Sequence, residues 1–466
     1  MSHSTIEKPR PTDFDKFLPW VCTEYNVDSD IIITKVIQSK LTIFNNSYNN
    51  RQTRPSHVLT LDLHHTDGAE ILQGFPRCGD NKNNVMIETI YNSDDDLVAL
   101  KFLNNKAIPR KVMQVIALTL PFQKHLTSIT INKGLRIDTL YEISKFLPNS
   151  QLTELCFDGT FLEKANYHIL LTQSKLKHLS LARCTINDAV VKMITDQLKE
   201  PSPAAKVLSA LNLSNNNITD TGAKYIADIL RTNRQLCYLN LAGNMITDEG
   251  AVSILDTLQK FPMQASEVLE GRSGYVAYLK KRKNLIQTLT EELEAAAYDS
   301  SYKKKSIKKG KFESQSMHNM DLKKTLTEIR VEAQIINEKA EVLADTKLGL
   351  FNECFSPNNT KTQDGVVYCL GNNAICCLNF AYNNLTYTSL KKLHEVLLTQ
   401  QALERIPRGL IKIVVEGNLM PVACKEYEEI DRLLKLGLES VIKHETAIKK
   451  KPLGSKSTAK LSHSIK

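Results

Sequence analysis

Residues 208–230 and 236–258 carry one pattern twice. The first copy reads LSALNLSNNNITDTGAKYIADIL and the second LCYLNLAGNMITDEGAVSILDTL. Leu208, Leu211, Leu213, Asn216, Ile218, Asp220, Gly222, Ile226 and Leu230 recur as Leu236, Leu239, Leu241, Asn244, Ile246, Asp248, Gly250, Ile254 and Leu258, always 28 residues on. Nine matches at one offset cannot come from composition. Leu211 and Leu213 alternate as a strand does, and Ile226 and Leu230 are spaced as one helix face. A strand-plus-helix unit of this size cannot bury its own apolar face, so successive units must stack into a continuous core.

The frame continues in both directions and decays as it goes. Leu176, Leu179, Leu181, Cys184, Ile186, Asp188, Ile194 and Leu198 form a third copy, with a four-residue PSPA insertion after Glu200. Leu152, Leu155, Phe157, Thr160, Leu162 and Leu170 form a weaker one. Leu126, Ile129 and Ile131, then Leu97, Leu100, Phe102 and Asn105, fit terminal turns of lost consensus. After Phe261-Pro262 the frame disappears. It returns with Ile375, Leu378, Phe380, Asn383, Leu385, Leu393 and Leu397, and ends with Leu410, Ile413, Val415, Asn418 and Met420. The predicted fold is α/β, a solenoid whose parallel sheet is lined by helices. Asn105, Cys184, Asn216, Asn244, Asn383 and Asn418 are its expected structural ladder, bonding the backbone of neighbouring turns. Asp220 and Asp248 are expected to satisfy amides at helix N-termini, and Gly222 and Gly250 to let helices pack closely.

Leu236 and Ile375 are 139 residues apart, 111 more than one repeat. Two separate domains would explain the gap, but two isolated repeats could not bury their faces, which favours an insertion. The expected organisation is an irregular extension over 1–90, repeats over 91–262 and a helical, hairpin-like insertion over 263–365. Closing repeats over 366–420, a capping helix over 421–440 and a disordered basic tail over 441–466 follow. In the insertion, a helix over 266–298 carries a stripe interrupted by Arg272 and Arg282 and weakened by Gly271 and Gly274. A second, over 321–346, places Leu322, Leu326, Ile329, Ala333, Ile336, Ala340 and Leu343 on a coiled-coil seam. A polar link between them holds Lys303, Lys304, Lys305, Lys308, Lys309 and Lys311, and the tail holds Lys449, Lys450 and Lys451. Strand-like pieces occur at His57–Leu63 and Val85–Tyr91.

The sequence offers little chemistry. Ten cysteines lack metal or disulfide-framework spacing, and no leader segment is recognisable, so a reducing cytoplasmic setting is expected. Cys376 and Cys377 are expected on opposite faces of a strand. No apolar run reaches membrane-spanning length, and no phosphate loop, nucleophile elbow or zinc-helix motif occurs. His64-His65 near Asp67 has no ligand pair at metal spacing. Cys184 near His178 falls on a buried repeat position rather than a thiol centre. No catalytic residue, cofactor or metal is therefore expected. The face between the inward leucines, which includes Glu154, His178, Ala210, Asn212, Tyr238 and Lys412, is small and polar, with Tyr238 its one aromatic.

The repeat block resembles the ribonuclease-inhibitor class of leucine-rich repeats. The interrupted order, with its return at CLGNNAICCLNFAYNNLTYTSLKKLHEVL and the late strand GLIKIVVEGN, resembles the leucine-rich repeat-containing 71 family. That resemblance implies a non-enzymatic scaffold in motile cilia or flagella, with axonemal or tubulin-associated protein partners. A different class, the repeat-based regulators of small GTPases, would use a single arginine such as Arg183. A third reading is an RNA-associated adaptor. The lysine clusters would suit any polyanion as well as they suit solvent. Aromatics interleaved for base stacking are missing, which argues against nucleic acid and leaves acidic protein tails as the better match.

Overall fold

The structure is a computed structural model that describes residues 8–37, 84–164, 166–306, 320–349, 351, 353–421 and 423–449. It forms two compact units, one from residues 1–260 and 371–466 and the other from Phe261–Leu370. The first is a leucine-rich repeat solenoid. Its ten-stranded sheet runs in spatial order through β1 (Ile31–Ile37), β2 (Val85–Tyr91), β3 (Leu97–Phe102), β4 (Ser128–Ile131), β5 (Glu154–Cys156), β6 (His178–Ser180), β7 (Ala210–Asn212), β8 (Tyr238–Asn240), β12 (Cys377–Asn379) and β13 (Lys412–Val414). All neighbours are parallel except β2 and β3. Leu155, Leu179, Leu211, Leu239 and Leu378 stand in register on consecutive strands and are buried. At about 1.5–3 kcal/mol per fully buried leucine, this column and its neighbours drive the stacking.

Behind the sheet lie α2 (Arg110–Thr119), α3 (Ile137–Phe146), α4 (Asp188–Asp196), α5 (Asp220–Leu230), α6 (Asp248–Asp256) and α9 (Tyr387–Leu403). The weak repeat after β5 has a short 3-10 turn, Tyr167–Leu171, in place of a helix. The buried Tyr167 fills the space and bonds Thr160 at 3.1 Å.

Several expectations are corrected. The N-terminal region is not wholly irregular: α1 (Phe14–Glu24) buries Phe14, Leu18, Val21 and Cys22, and β1 and β2 extend the sheet. Its helix hides in the sequence because Pro19 sits inside it and it covers only about three turns. His57–Leu63 lies outside the described residues. At the other end, α10 (Lys425–Lys449) starts after Pro421 and continues through residues assigned to a disordered tail. It is anchored by buried Ile430 and Leu433.

The second unit contains β9 (Phe261–Pro262), α7 (Ala265–Ser306), α8 (Met320–Leu348), β10 (Thr360–Gln363) and β11 (Val366–Cys369). The last of these, expected to open the closing repeats, pairs antiparallel with β10 and β9. α7 runs eight residues beyond its expected end and takes in Lys303, Lys304 and Lys305. The expected seam on α8 is also revised, because Leu343 is exposed while Ala340 and Ala344 are buried against Leu289. Small residues four apart let the helices approach there. Arg282 does not break the stripe idly: it forks Asp345 at 2.7 and 3.0 Å. Gly271 passes Phe355 so closely that a Cβ would lie 2.8 Å from the Phe355 Cβ.

The solenoid continues across the gap in sequence. β8 pairs with β12 through Tyr238–Cys377, Leu239–Leu378 and Asn240–Asn379. Gly371, at φ +90°, passes so near Gln259 that a Cβ would lie 2.6 Å from the Gln259 carbonyl oxygen. The two cut ends therefore touch within the first unit. Replacing residues 261–370 by a few flexible residues is expected to leave one cooperative thermal transition with β8–β12 pairing intact. Independent melting of residues 8–260 and 371–449 would contradict a single stack.

Candidate functional site

The ladder residues define what is structural here and hence what is free to act. Asn216 Nδ2 donates to the carbonyls of Leu181 (2.9 Å), Leu213 (2.9 Å) and Ser214 (3.1 Å), while its Oδ1 accepts from the amides of Cys184 and Ile186. Asn244 repeats the arrangement against Leu213, Leu241, Ala242 and the Ile218 amide. Asn383 bonds Leu241 and Phe380 and accepts from Ile246, and Asn418 bonds Phe380 and Val415 and accepts from Asn383 and Leu385. Cys184 donates its thiol to the Phe157 carbonyl at 3.1 Å, and burial raises its pKa. Asn105 spans both the amide (2.7 Å) and the carbonyl (3.0 Å) of Met86 on the antiparallel strand β2.

A second chain of bonds, not foreseen, links the helix N-termini. Asp188 accepts from the Thr219 amide (2.9 Å), the Thr219 hydroxyl (2.6 Å) and the Gly222 amide (3.0 Å). Asp220 does the same for Thr247 and Gly250, and Asp248 for Thr386 and Ser389. The aspartates thus satisfy amides of the next helix, while Thr219, Thr247 and Thr386 cap their own. Gly222 and Gly250 admit the carboxylate, since a Cβ at either would strike Asp188 or Asp220. Burial works against ionisation of Asp248, but the hydroxyls and amides of Ser389 and Thr386 outweigh it and lower its pKa. In the following repeat Tyr387 takes the aspartate position and its hydroxyl bonds Glu426 of α10 at 2.7 Å. The relay ends where the cap begins.

With these groups accounted for, the open face of the sheet is the surface left for a partner. In register across β4 to β8, Ser128, Glu154, His178, Ala210 and Tyr238 form one row, and Thr130, Cys156, Ser180, Asn212 and Asn240 the next. Their side chains lock one another. His178 Nδ1 lies 3.1 Å from Glu154 Oε1, the Ser180 hydroxyl donates to Asp158 at 2.6 Å, and Asn212 Nδ2 donates to Ser180 at 2.9 Å. Burial pushes the Cys156 thiol up to about 12, so it stays protonated. A cavity on this face is lined by residues of β4 to β8, from Ser128 and Thr130 through Glu154, Cys156 and His178 to Ala210, Asn212 and Tyr238, and the small Ala210 side chain helps to leave it open. This notch was invisible in sequence because alanine signals nothing until its neighbours in register are known. Farther along the face, the sulfurs of Cys376 and Cys377 are 3.9 Å apart rather than on opposite faces, because Cys376 precedes β12.

The remaining candidates are dispersed. Lys303, Lys304 and Lys305 lie at the C-terminal end of α7 and Lys449 at that of α10. Lys308, Lys309, Lys311, Lys450 and Lys451 lie outside the described residues, as do His64 and His65. Arg183 occupies a turn at φ +56°, exposed. Among the described residues no group of three or more His, Cys, Asp or Glu side chains could hold a metal ion. No described helix is long and apolar enough to cross a membrane.

Residues 205–227 and 232–255 match the Leucine Rich repeat family model. No curated protein sequence matches the chain. Among solved structures it is similar to the actin-binding site 2 of leiomodin-1, at 12% identity and TM-score 0.29, covering 59% of this chain and 88% of that one. It is also similar to an internalin (inlF) from Listeria monocytogenes str. 4b F2365, at 10% identity and TM-score 0.29, covering 74% of this chain and 63% of that one. Asn244→Ala is expected to lower stability by about 1–3 kcal/mol, the cost of orphaning buried backbone groups. Chemical denaturation measures it; an unchanged midpoint would remove Asn244 from the ladder.

Proposed function

We propose that this chain is a non-catalytic scaffold that holds a protein partner on the open face of its sheet. The observation that carries the reading is the recess beside Ala210, in a wall of polar side chains already fixed by their mutual bonds. A wall prearranged in this way loses little side-chain entropy on binding. The partner side chain that enters would meet the Tyr238 ring on one side and His178 on the other. Filling the recess with Ala210→Arg should leave the melting temperature within a degree or so, since the side chain projects away from the leucine core. Affinity purification with wild type and this variant, from ciliated and non-ciliated tissue, tests the reading. The expected result is a partner set specific to ciliated tissue that the variant loses. An identical set with both proteins would move the docking surface off the sheet.

The finer part of the proposal is a place in a ciliary or flagellar axonemal assembly. It rests on the interrupted order of repeats and on the lysine clusters at 303–311 and 449–451, which would touch acidic protein tails such as those of tubulin. Such contacts are screened by salt. Microtubule co-sedimentation is expected to be weak at low ionic strength and to fall when either cluster is changed to glutamine. Salt-resistant binding that ignores both changes would exclude the lysines, and tight RNA binding would favour an RNA-associated adaptor.

A further inference from the structure

Cys376 and Cys377 are adjacent in sequence and, like Cys237 and Cys424, are not fully buried in the solenoid. Cys22, Cys156 and Cys184 are buried, and burial raises the pKa of each. Cys376 and Cys377 are both partly exposed. The Cys376 thiol donates to the Cys237 carbonyl oxygen at 3.3 Å, and its sulfur lies 3.9 Å from that of Cys377, within reach of it as a second, longer acceptor. Cys377 stands in register with Tyr238 on one side and Lys412 on the other. The adjacent Cys376 thiol favours the Cys377 thiolate, burial opposes it, the positive charge of Lys412 favours it again and the neighbouring Cys237 opposes it, and the net effect lowers the Cys377 pKa. Cys376, as donor, keeps its proton, and its pKa is raised. One partner is thus prepared to attack and the other to wait.

We propose that Cys376 and Cys377 are a thiol–disulfide exchange site for small organic disulfides. The Cys377 thiolate attacks one sulfur of the disulfide, forming a mixed disulfide and expelling one thiolate, which takes up a proton. Cys376 then loses its proton and attacks the Cys377 sulfur. The bond to the bound half breaks, a second thiol leaves, and a Cys376–Cys377 disulfide remains. Overall, two protein thiols are oxidised and one small disulfide is reduced to two thiols. The product is strained, because adjacent Cα atoms are held about 3.8 Å apart against the ~4.4–6.8 Å span of ordinary disulfides. A strained disulfide is readily reduced, so the reaction is reversible.

Closure also bears on the sheet. The Cys376 and Cys377 amides both donate to the Cys237 carbonyl, and the Cys376 carbonyl accepts from the Ile411 and Lys412 amides. Drawing the sulfurs together from 3.9 Å twists the peptide that joins β12 to both neighbours. The open face beside Tyr238 would change with it.

The test uses the reduced full-length chain and oxidised glutathione, followed by peptide mass spectrometry at near-neutral pH. Wild type is expected to lose two hydrogens from the peptide holding both cysteines, at least ~10-fold faster than the partly exposed Cys237 or Cys424, or the buried Cys22, Cys156 or Cys184, reacts. Cys376→Ser should stop at a stable glutathione adduct on Cys377. Phenylarsine oxide, which bridges paired thiols, should protect both residues of unaltered protein from alkylation, a readout that needs no variant. Equal rates at all the cysteines named, or arsenical protection of neither, would overturn the proposal. An adduct forming first on Cys376 would do the same.

Discussion

The parallel sheet of this solenoid depends on one repeated act: a buried asparagine amide bonded to the backbone of its own turn and the turn before it. A turn that reverses the chain between a three-residue strand and a helix exposes carbonyls and amides that no regular structure pairs. Asn216 answers for five of them, across residues 181 to 214. Without that, the leucine column could be just as apolar and the turns would still have no fixed spacing. Hydrophobic burial supplies the energy of stacking, and the asparagines supply its pitch. Where the asparagine is lost, a substitute appears: the Cys184 thiol reaches the carbonyls of Phe157 and Ala182 where Asn216 reaches three, and Thr160 bonds within its own turn and to Tyr167.

The helix side keeps pace through a different group. Aspartates at 188, 220 and 248 each reach forward to the next helix, so strand and helix edges are both tied from repeat to repeat. This two-sided fastening explains why glycine or serine stands at the facing position, and why the pattern at 208–258 is so regular. Ser389 can stand where Gly222 and Gly250 do because its hydroxyl joins the same carboxylate.

What was legible in the sequence follows from this logic. Positions with period 28 are those fixed by contacts between like turns, so the ladder and the leucine column could be read directly. The forward reach of the aspartates could not, because a carboxylate before a helix serves its own amides in most proteins. Terminal elements make contacts unlike those of any repeat. α1 and the antiparallel β2 therefore left no periodic trace, and α10 was recognised only in part. The small, polar character of the open face follows from strand alternation alone, but its recess depends on which residues from separate strands become neighbours. The extent of α7 was underestimated because lysine-rich sequence reads as a link, although lysine is a good helix former.

The small sheet of the second unit has a consequence for how the chain reaches its native state. β9 and β11 pair Phe261 with Cys369 and Pro262 with Tyr368, the two ends of the interruption. Joining β8 to β12 without them means closing a loop of about 139 residues instead of 28, an added entropic cost of roughly 1.4 kcal/mol at the rate-limiting encounter. The helical pair and its clasp form from contacts nearer in sequence, and once formed they reduce that loop to about 31 residues, close to the 28 of an uninterrupted repeat. Prior formation of the clasp would therefore make the docking of the last two strands about as local as that of any other repeat.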